Sequence, residues 1–128
     1  MMYSPLTTSL LLFILFSSFD ACMRVTPGTP GMPATPCKTC AQNLITKSTN
    51  GAASHAFATD VTDTTGACAT RTLTCTGLNA NIEVNVDGGT IDDGGTGTAT
   101  FTVTCNAAGT AWTNTGITIT NLECASDP

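Results

Sequence analysis

Six cysteines, Cys37, Cys40, Cys68, Cys75, Cys105 and Cys124, follow an apolar leader and constrain this chain more than any other feature. A leader directs a chain to an oxidising compartment, where an even set of cysteines forms a disulfide framework. The six are therefore read as structural bridges and not as catalysts. Leu10–Phe16 (LLLFILF) is an unbroken apolar run followed by Ser17 and Ser18. Seven residues cannot span a bilayer, which needs roughly 20 in helical form, but they suit the apolar core of a signal peptide. The expected organisation is a signal peptide over residues 1–22, a linker over 23–36 and one domain over 37–126. Cys22, the seventh cysteine, leaves with the leader if cleavage follows it; cleavage after Ala21 leaves a thiol able to pair between chains. No other segment is apolar enough to enter a membrane, so a secreted, extracellular, monomeric product is expected.

Beyond the leader only Phe57, Phe101 and Trp112 are aromatic, a thin supply for a core. Bridges offset this by restricting the unfolded chain; closing a 30-residue loop contributes roughly 3–4 kcal/mol in the entropy model. The net charge is −5, with Arg24, Lys38, Lys47 and Arg71 as the only basic side chains. That balance excludes nucleic acid and anionic membrane surfaces as partners. Arg24–Pro36 (RVTPGTPGMPATP) repeats proline too often for helix or sheet, and reads as an extended linker whose threonines could carry O-linked sugars.

From Cys37 onward the periodicity is that of strands. Cys40–Thr46 reads as a strand or turn-and-strand, and Lys47–Ser54 as a loop turning at Asn50-Gly51. Ala69–Thr76 alternates, with Arg71, Leu73 and Cys75 on one face and threonines on the other. Asn81–Val86 aligns Ile82, Val84 and Val86; Thr98–Cys105 aligns Ala99, Phe101, Val103 and Cys105; Ile117–Thr120 continues toward Leu122 and Cys124. Period-2 alternation between glycine and asparagine turns marks half-buried antiparallel strands. The expected fold is an all-β, small, disulfide-stapled antiparallel β-sandwich. Ala69–Cys75 (ATRTLTC) and Ala99–Cys105 (ATFTVTC) echo each other, both ending in an inward cysteine.

The cysteine order and its flanking words (Cys37-Lys38-Thr39-Cys40-Ala41, Asn43-Leu44-Ile45, Thr72-Leu73-Thr74-Cys75, Trp112, Glu123-Cys124-Ala125-Ser126) resemble the nematode C6 domain over Cys37–Ser126. The resemblance implies an extracellular domain with three bridges and no established biochemical activity. It also implies a Cys37–Cys68 bridge. The other four cysteines allow three pairings; of these, Cys75–Cys105 is favoured by a shared inward face and Cys40–Cys124 by tying the chain ends together.

Other chemistry is sparse. Cys37-x2-Cys40 follows a proline-rich linker, not the strand that precedes a redox motif, and no second ligand pair completes a zinc site. His55 is the only histidine, so any triad or metal–histidine mechanism must use it, with Ser54 its sequence neighbour. Asp87-Gly88-Gly89 and Asp92-Asp93-Gly94-Gly95 lack the closing glutamate of a calcium loop and fit turns. The threonine rows suit ice, sugar or O-glycans, and equally a soluble sheet face. The expectation is a non-catalytic binding or structural module needing no cofactor or metal, whose partner is an extracellular protein or glycan. Its alternatives are a small enzyme using His55 or the Asp87/Asp92/Asp93 loop, and an O-glycosylated matrix or mucus component.

Overall fold

The computed structural model describes residues 35–128. The leader, Cys22 and all but the end of the expected linker lie outside them. Two single-turn 3-10 helices, Pro36–Lys38 and Gln42–Leu44, open the domain. Ten strands follow: β1 (Thr46–Ser48), β2 (Ser54–His55), β3 (Thr59–Asp63), β4 (Thr70–Thr76), β5 (Leu78–Val84), β6 (Thr90–Asp92), β7 (Thr98–Cys105), β8 (Trp112–Asn114), β9 (Ile117–Ile119) and β10 (Asn121–Asp127). No α-helix occurs among the described residues, and none is long and apolar enough to cross a membrane.

The strands form two sheets, one ordered β1-β10-β5-β6 with β2 also on β10, the other β3-β4-β7-β8-β9. All pairings are antiparallel except β1 with β10, which is parallel. The alternation that predicts β7 holds residue by residue: Ala99, Phe101, Val103 and Cys105 are buried, while Thr98, Thr100, Thr102 and Thr104 are exposed. Their β4 partners in register are Thr76, Thr74, Thr72 and Thr70, so paired threonines cover the outer face of that sheet. Inward, Leu73, Val103 and Trp112 meet Ile82, Leu122 and Ala80 from the other sheet in one contiguous core.

Cys37–Cys68 forms as the resemblance implies, but the other two bridges are Cys40–Cys105 and Cys75–Cys124. The favoured Cys75–Cys105 and Cys40–Cys124 pairs are therefore corrected, and register gives the reason. Cys75 stands opposite Ala99 on the antiparallel neighbour strand. Cys105 lies six residues further along, roughly 20 Å away, at the other end of the same face. Cys75 instead crosses the sandwich to Cys124 on β10, and Cys105 takes Cys40 from the N-terminal segment.

Two local expectations also change. The β5 strand ends at Val84, and Asn85 and Val86 turn away at φ 51° and 64°. Val86 therefore leaves the inward row of Ile82 and Val84 and is exposed. Cys40–Thr46 takes the turn-and-strand form, Gln42–Leu44 coiling into a 3-10 turn beneath Arg71 and Trp112. The strand that starts at Thr46, however, runs through Ser48 into residues expected to be loop.

Arg71 points inward as its alternation requires and is 1% exposed. Its Nε and Nη2 each donate to Asp60 at 2.7 Å, and Nη1 donates to the Gln42 carbonyl at 2.6 Å. The guanidinium lies 5.9 Å from the centre of the Trp112 ring, whose Nε1 donates to the Ala41 carbonyl. A buried cation is tolerable only with such complete pairing. Hydrogen bonds from Arg71, with Lys47 adding a second partner, hold the Asp60 carboxyl at a pKa of about 2.

Candidate functional site

Where each sheet ends in a three-residue strand, the sandwich opens into a cleft of about 300 Å³ between the β5–β6 and β8–β9 hairpins. Its walls include Val84 and Ile91 from one sheet and Phe101, Ile117 and Ile119 from the other. Asn85 and Asn114 contribute amides, but both are already engaged. Asn85 Nδ2 donates to the Thr118 carbonyl at 2.9 Å, and its Oδ1 accepts from the Thr120 and Asn121 N–H groups. Asn114 Nδ2 donates to the Thr102 carbonyl. No acid, base or cysteine lines this cleft.

Asparagine tolerates the left-handed backbone that the β5–β6 turn demands, and its short amide reaches the neighbouring chain. Asn85 thereby bonds the edge of β9 much as another strand would. Nothing in the alternation singles out this cleft. Its only sequence signal is the cluster of asparagine and glycine turns at both hairpins.

The six cysteines are all bonded, so none presents a thiol. Cys75 and Cys124 are wholly buried, and the His55 ring covers their bridge, with Nδ1 and Nε2 at 3.5 and 3.7 Å from Cys124 Sγ. His55 is half-buried on β2 and lines two further pockets, of about 210 and 420 Å³. Its Nδ1 lies 3.0 Å from the Ala56 carbonyl, an acceptor only, so that nitrogen carries the proton. In the neutral ring Nε2 then accepts from the Ser126 hydroxyl, 3.0 Å away. Ser126, 71 positions from His55, is the partner the sequence does not reveal; it reaches the ring because β2 pairs with β10. Ser54, the sequence neighbour, donates its hydroxyl to the Gly51 carbonyl instead.

Of the aspartates, Asp60 and Asp127 each line one of the pockets beside His55, whereas Asp87, Asp92 and Asp93 line neither. Asp93 accepts from the Gly95 and Gly97 N–H groups, the former chiefly lowering its pKa, and so closes its own loop. Asp87 stands in the β5–β6 turn and Asp92 ends β6, both exposed. Among the described residues, one group of His, Cys, Asp or Glu could gather around a metal ion: His55, Cys75 and Cys124. Its two sulfurs are bonded to each other.

The disulfide framework fits an extracellular protein. No curated protein and no solved structure matches this chain. A family model described as the C6 domain matches residues 37–124, the interval from the first to the last bonded cysteine. On that match, and with three bridges holding an all-β sandwich, the chain belongs to the C6 domain family.

Proposed function

We propose that this protein is secreted and acts as a non-catalytic extracellular binding module, with the cleft between the β5–β6 and β8–β9 hairpins as its ligand site. The observation that carries this reading is the lining of that cleft, which is mostly apolar, uncharged and free of acid–base groups. Small-ligand sites are concave and mostly apolar, whereas hydrolytic sites need an activated nucleophile and charged or polar stabilisers. A bridge-stapled frame holds such a cleft open without a large core. The test is binding by the secreted protein to arrayed extracellular domains and glycans, beside an Ile117→Asp variant. Ligands retained by the native protein and lost by the variant support the reading. Ligands bound equally by both place the site elsewhere.

A second reading is a small secreted hydrolase, favoured by the Ser126–His55 hydrogen bond. A nucleophile within reach of an oriented base is the minimal arrangement for acyl transfer. Labelling of Ser126 by a fluorophosphonate, abolished by His55→Gln, would support it and overturn the non-catalytic assignment. Unlabelled native protein would leave the serine a structural cap over the Cys75–Cys124 bridge.

A further inference from the structure

The geometry points to a protein partner that presents a branched apolar side chain on a basic, extended segment, the side chain entering the cleft and the segment lying along β6. The inference rests on the binding-module reading and narrows its ligand.

The first ground is charge. From Thr72 to Pro128 the chain carries Glu83, Asp87, Asp92, Asp93, Glu123 and Asp127, with no lysine or arginine. Among the described residues the basic side chains are Lys38, Lys47 and Arg71; Arg71 is buried on Asp60, and Lys47 pairs with the same carboxylate. The half of the domain that forms the cleft is therefore purely anionic. Asp87 lies in the turn whose Asn85 and Gly88 line the cleft; Asp92, next to the lining residue Ile91, alternates to the outer face of β6 along its free edge. On the outer face of the same sheet Glu83 stands directly opposite Glu123, a like-charge pairing that disfavours the free sheet. A cationic segment is complementary to this rim in sign, which raises encounter rates and selects against acidic competitors.

The second ground separates a protein from a glycan. Sugar sites stack pyranose faces on exposed aromatic rings and satisfy hydroxyls with free polar groups. Here Trp112 is wholly buried and Phe101 only 8% exposed. Asn85 and the Asn114 Nδ2 group are spent on the protein's own backbone. Asn114 Oδ1 accepts from the Thr115 hydroxyl, which with Thr90 leaves two threonines as the cleft's other polar lining. The cleft offers shape and apolar surface, which suit an aliphatic side chain.

The third ground is strain. Val86 is β-branched, held at φ 64°, and 63% exposed. Such a backbone costs on the order of 1–3 kcal/mol and gains no burial here, a combination that concentrates at ligand clamps. Ile117 on the opposite hairpin is similarly exposed at 61%. β6, whose Ile91 lines the same cleft as Ile117, is paired with β5 alone among the described residues. Its free edge can add an extended chain through main-chain hydrogen bonds, with alternate side chains facing the cleft.

The experiment is an amide-resolved NMR titration of the full secreted chain with two blocked heptapeptides. One carries a Val-Leu-Val centre flanked by lysine pairs; the other carries glutamate pairs in their place. Saturable shifts at Val84, Gly88, Ile91 and Ile117 are expected with the lysine peptide alone. They should weaken as salt rises from about 0.05 to about 0.3 M. Ile117→Ser and the pair Asp87→Asn with Asp92→Asn should each reduce affinity by roughly tenfold or more, and both substitutions lie on exposed surface. Equal binding of the glutamate peptide, or no saturable shift with either, overturns the proposal. Lysine-peptide shifts confined to Glu83 and Glu123 also overturn it, assigning the attraction to the acidic sheet face. A different, uncharged or acidic ligand that the native protein binds and Ile117→Ser loses, with no shift from the lysine peptide, defeats this inference while leaving the binding-module reading intact.

Discussion

At the scale of single residues, the domain depends most on the one charge buried in its core. Arg71 is sealed between Asp60, the Gln42 carbonyl and the Trp112 ring, so removing its carboxylate leaves a cation without a counterion. Asp60→Asn should cost about 3–5 kcal/mol at pH 6, the range for breaking one half of a buried pair. Part of that difference titrates. Asp60 has a pKa of about 2 when folded against 3.8 ordinarily, so its ionised form favours folding by about 2 kcal/mol above pH 3.8. That contribution disappears as pH falls toward 2. Denaturant midpoints of both proteins at pH 6 and pH 2.5 should therefore show the gap narrowing by more than about 1 kcal/mol in acid; an unchanged gap would place the stabilisation outside the ion pair. Asn85 is the other residue with disproportionate reach, since one amide bonds Thr118, Thr120 and Asn121. Asn85→Ala should cost about 2 kcal/mol from lost hydrogen bonds and from left-handed strain in alanine. Amide exchange at Thr120 and Asn121 should accelerate before the rest of the sheet opens.

Among the elements, the three bridges close loops with sequence separations of 31, 65 and 49 residues. Loop entropy alone gives each about 4 kcal/mol, so it hardly ranks them. Placement does. Cys75–Cys124 joins β4 of one sheet to β10 of the other with both residues wholly buried, whereas Cys68 and Cys40 are only half-buried. Replacing Cys75 and Cys124 together by alanine should lower the unfolding midpoint further than the same change at Cys37 and Cys68, by about 1–2 kcal/mol for the added cavity. Equal losses would show that the bridges act on the unfolded chain alone. These elements also mark how far sequence reasoning reaches. β4 and β7 are legible because seven or eight residues give several alternations of threonine with inward apolar residues. β2, β6, β8 and β9 have two or three residues each, too few for any period to register. Pairing Cys75 with Cys105 follows from face but fails on register, which is a property of two strands together and is not written in either. The same gap hides Ser126 from His55, because only the β2–β10 pairing brings them together.

For the whole molecule, the balance between core and covalent stapling decides whether a folded reduced state exists. The core is built from small and branched side chains around a single tryptophan, Trp112, with Phe101 the other buried ring. Three bridges at about 4 kcal/mol each sum to roughly 12 kcal/mol in the entropy model, against a typical total stability of about 5–15 kcal/mol for a domain. Reduction should therefore unfold the protein at neutral pH without any denaturant. Trp112 is a direct reporter: wholly buried in the native state, its emission should shift to the red on full reduction as the ring meets water. The bridged protein should keep its native emission at pH 2.5, because the depressed Asp60 carboxyl is still mostly ionised there and the bridges do not titrate. Each bridge also draws on the others, since Cys40–Cys105 anchors the segment that supplies the Gln42 and Ala41 carbonyls to Arg71 and Trp112. Stepwise reduction should accordingly give one cooperative spectral change once the buried Cys75–Cys124 bridge opens. A reduced chain that retained buried tryptophan emission would show that the sandwich core suffices by itself, and that the bridges serve durability outside the cell more than folding.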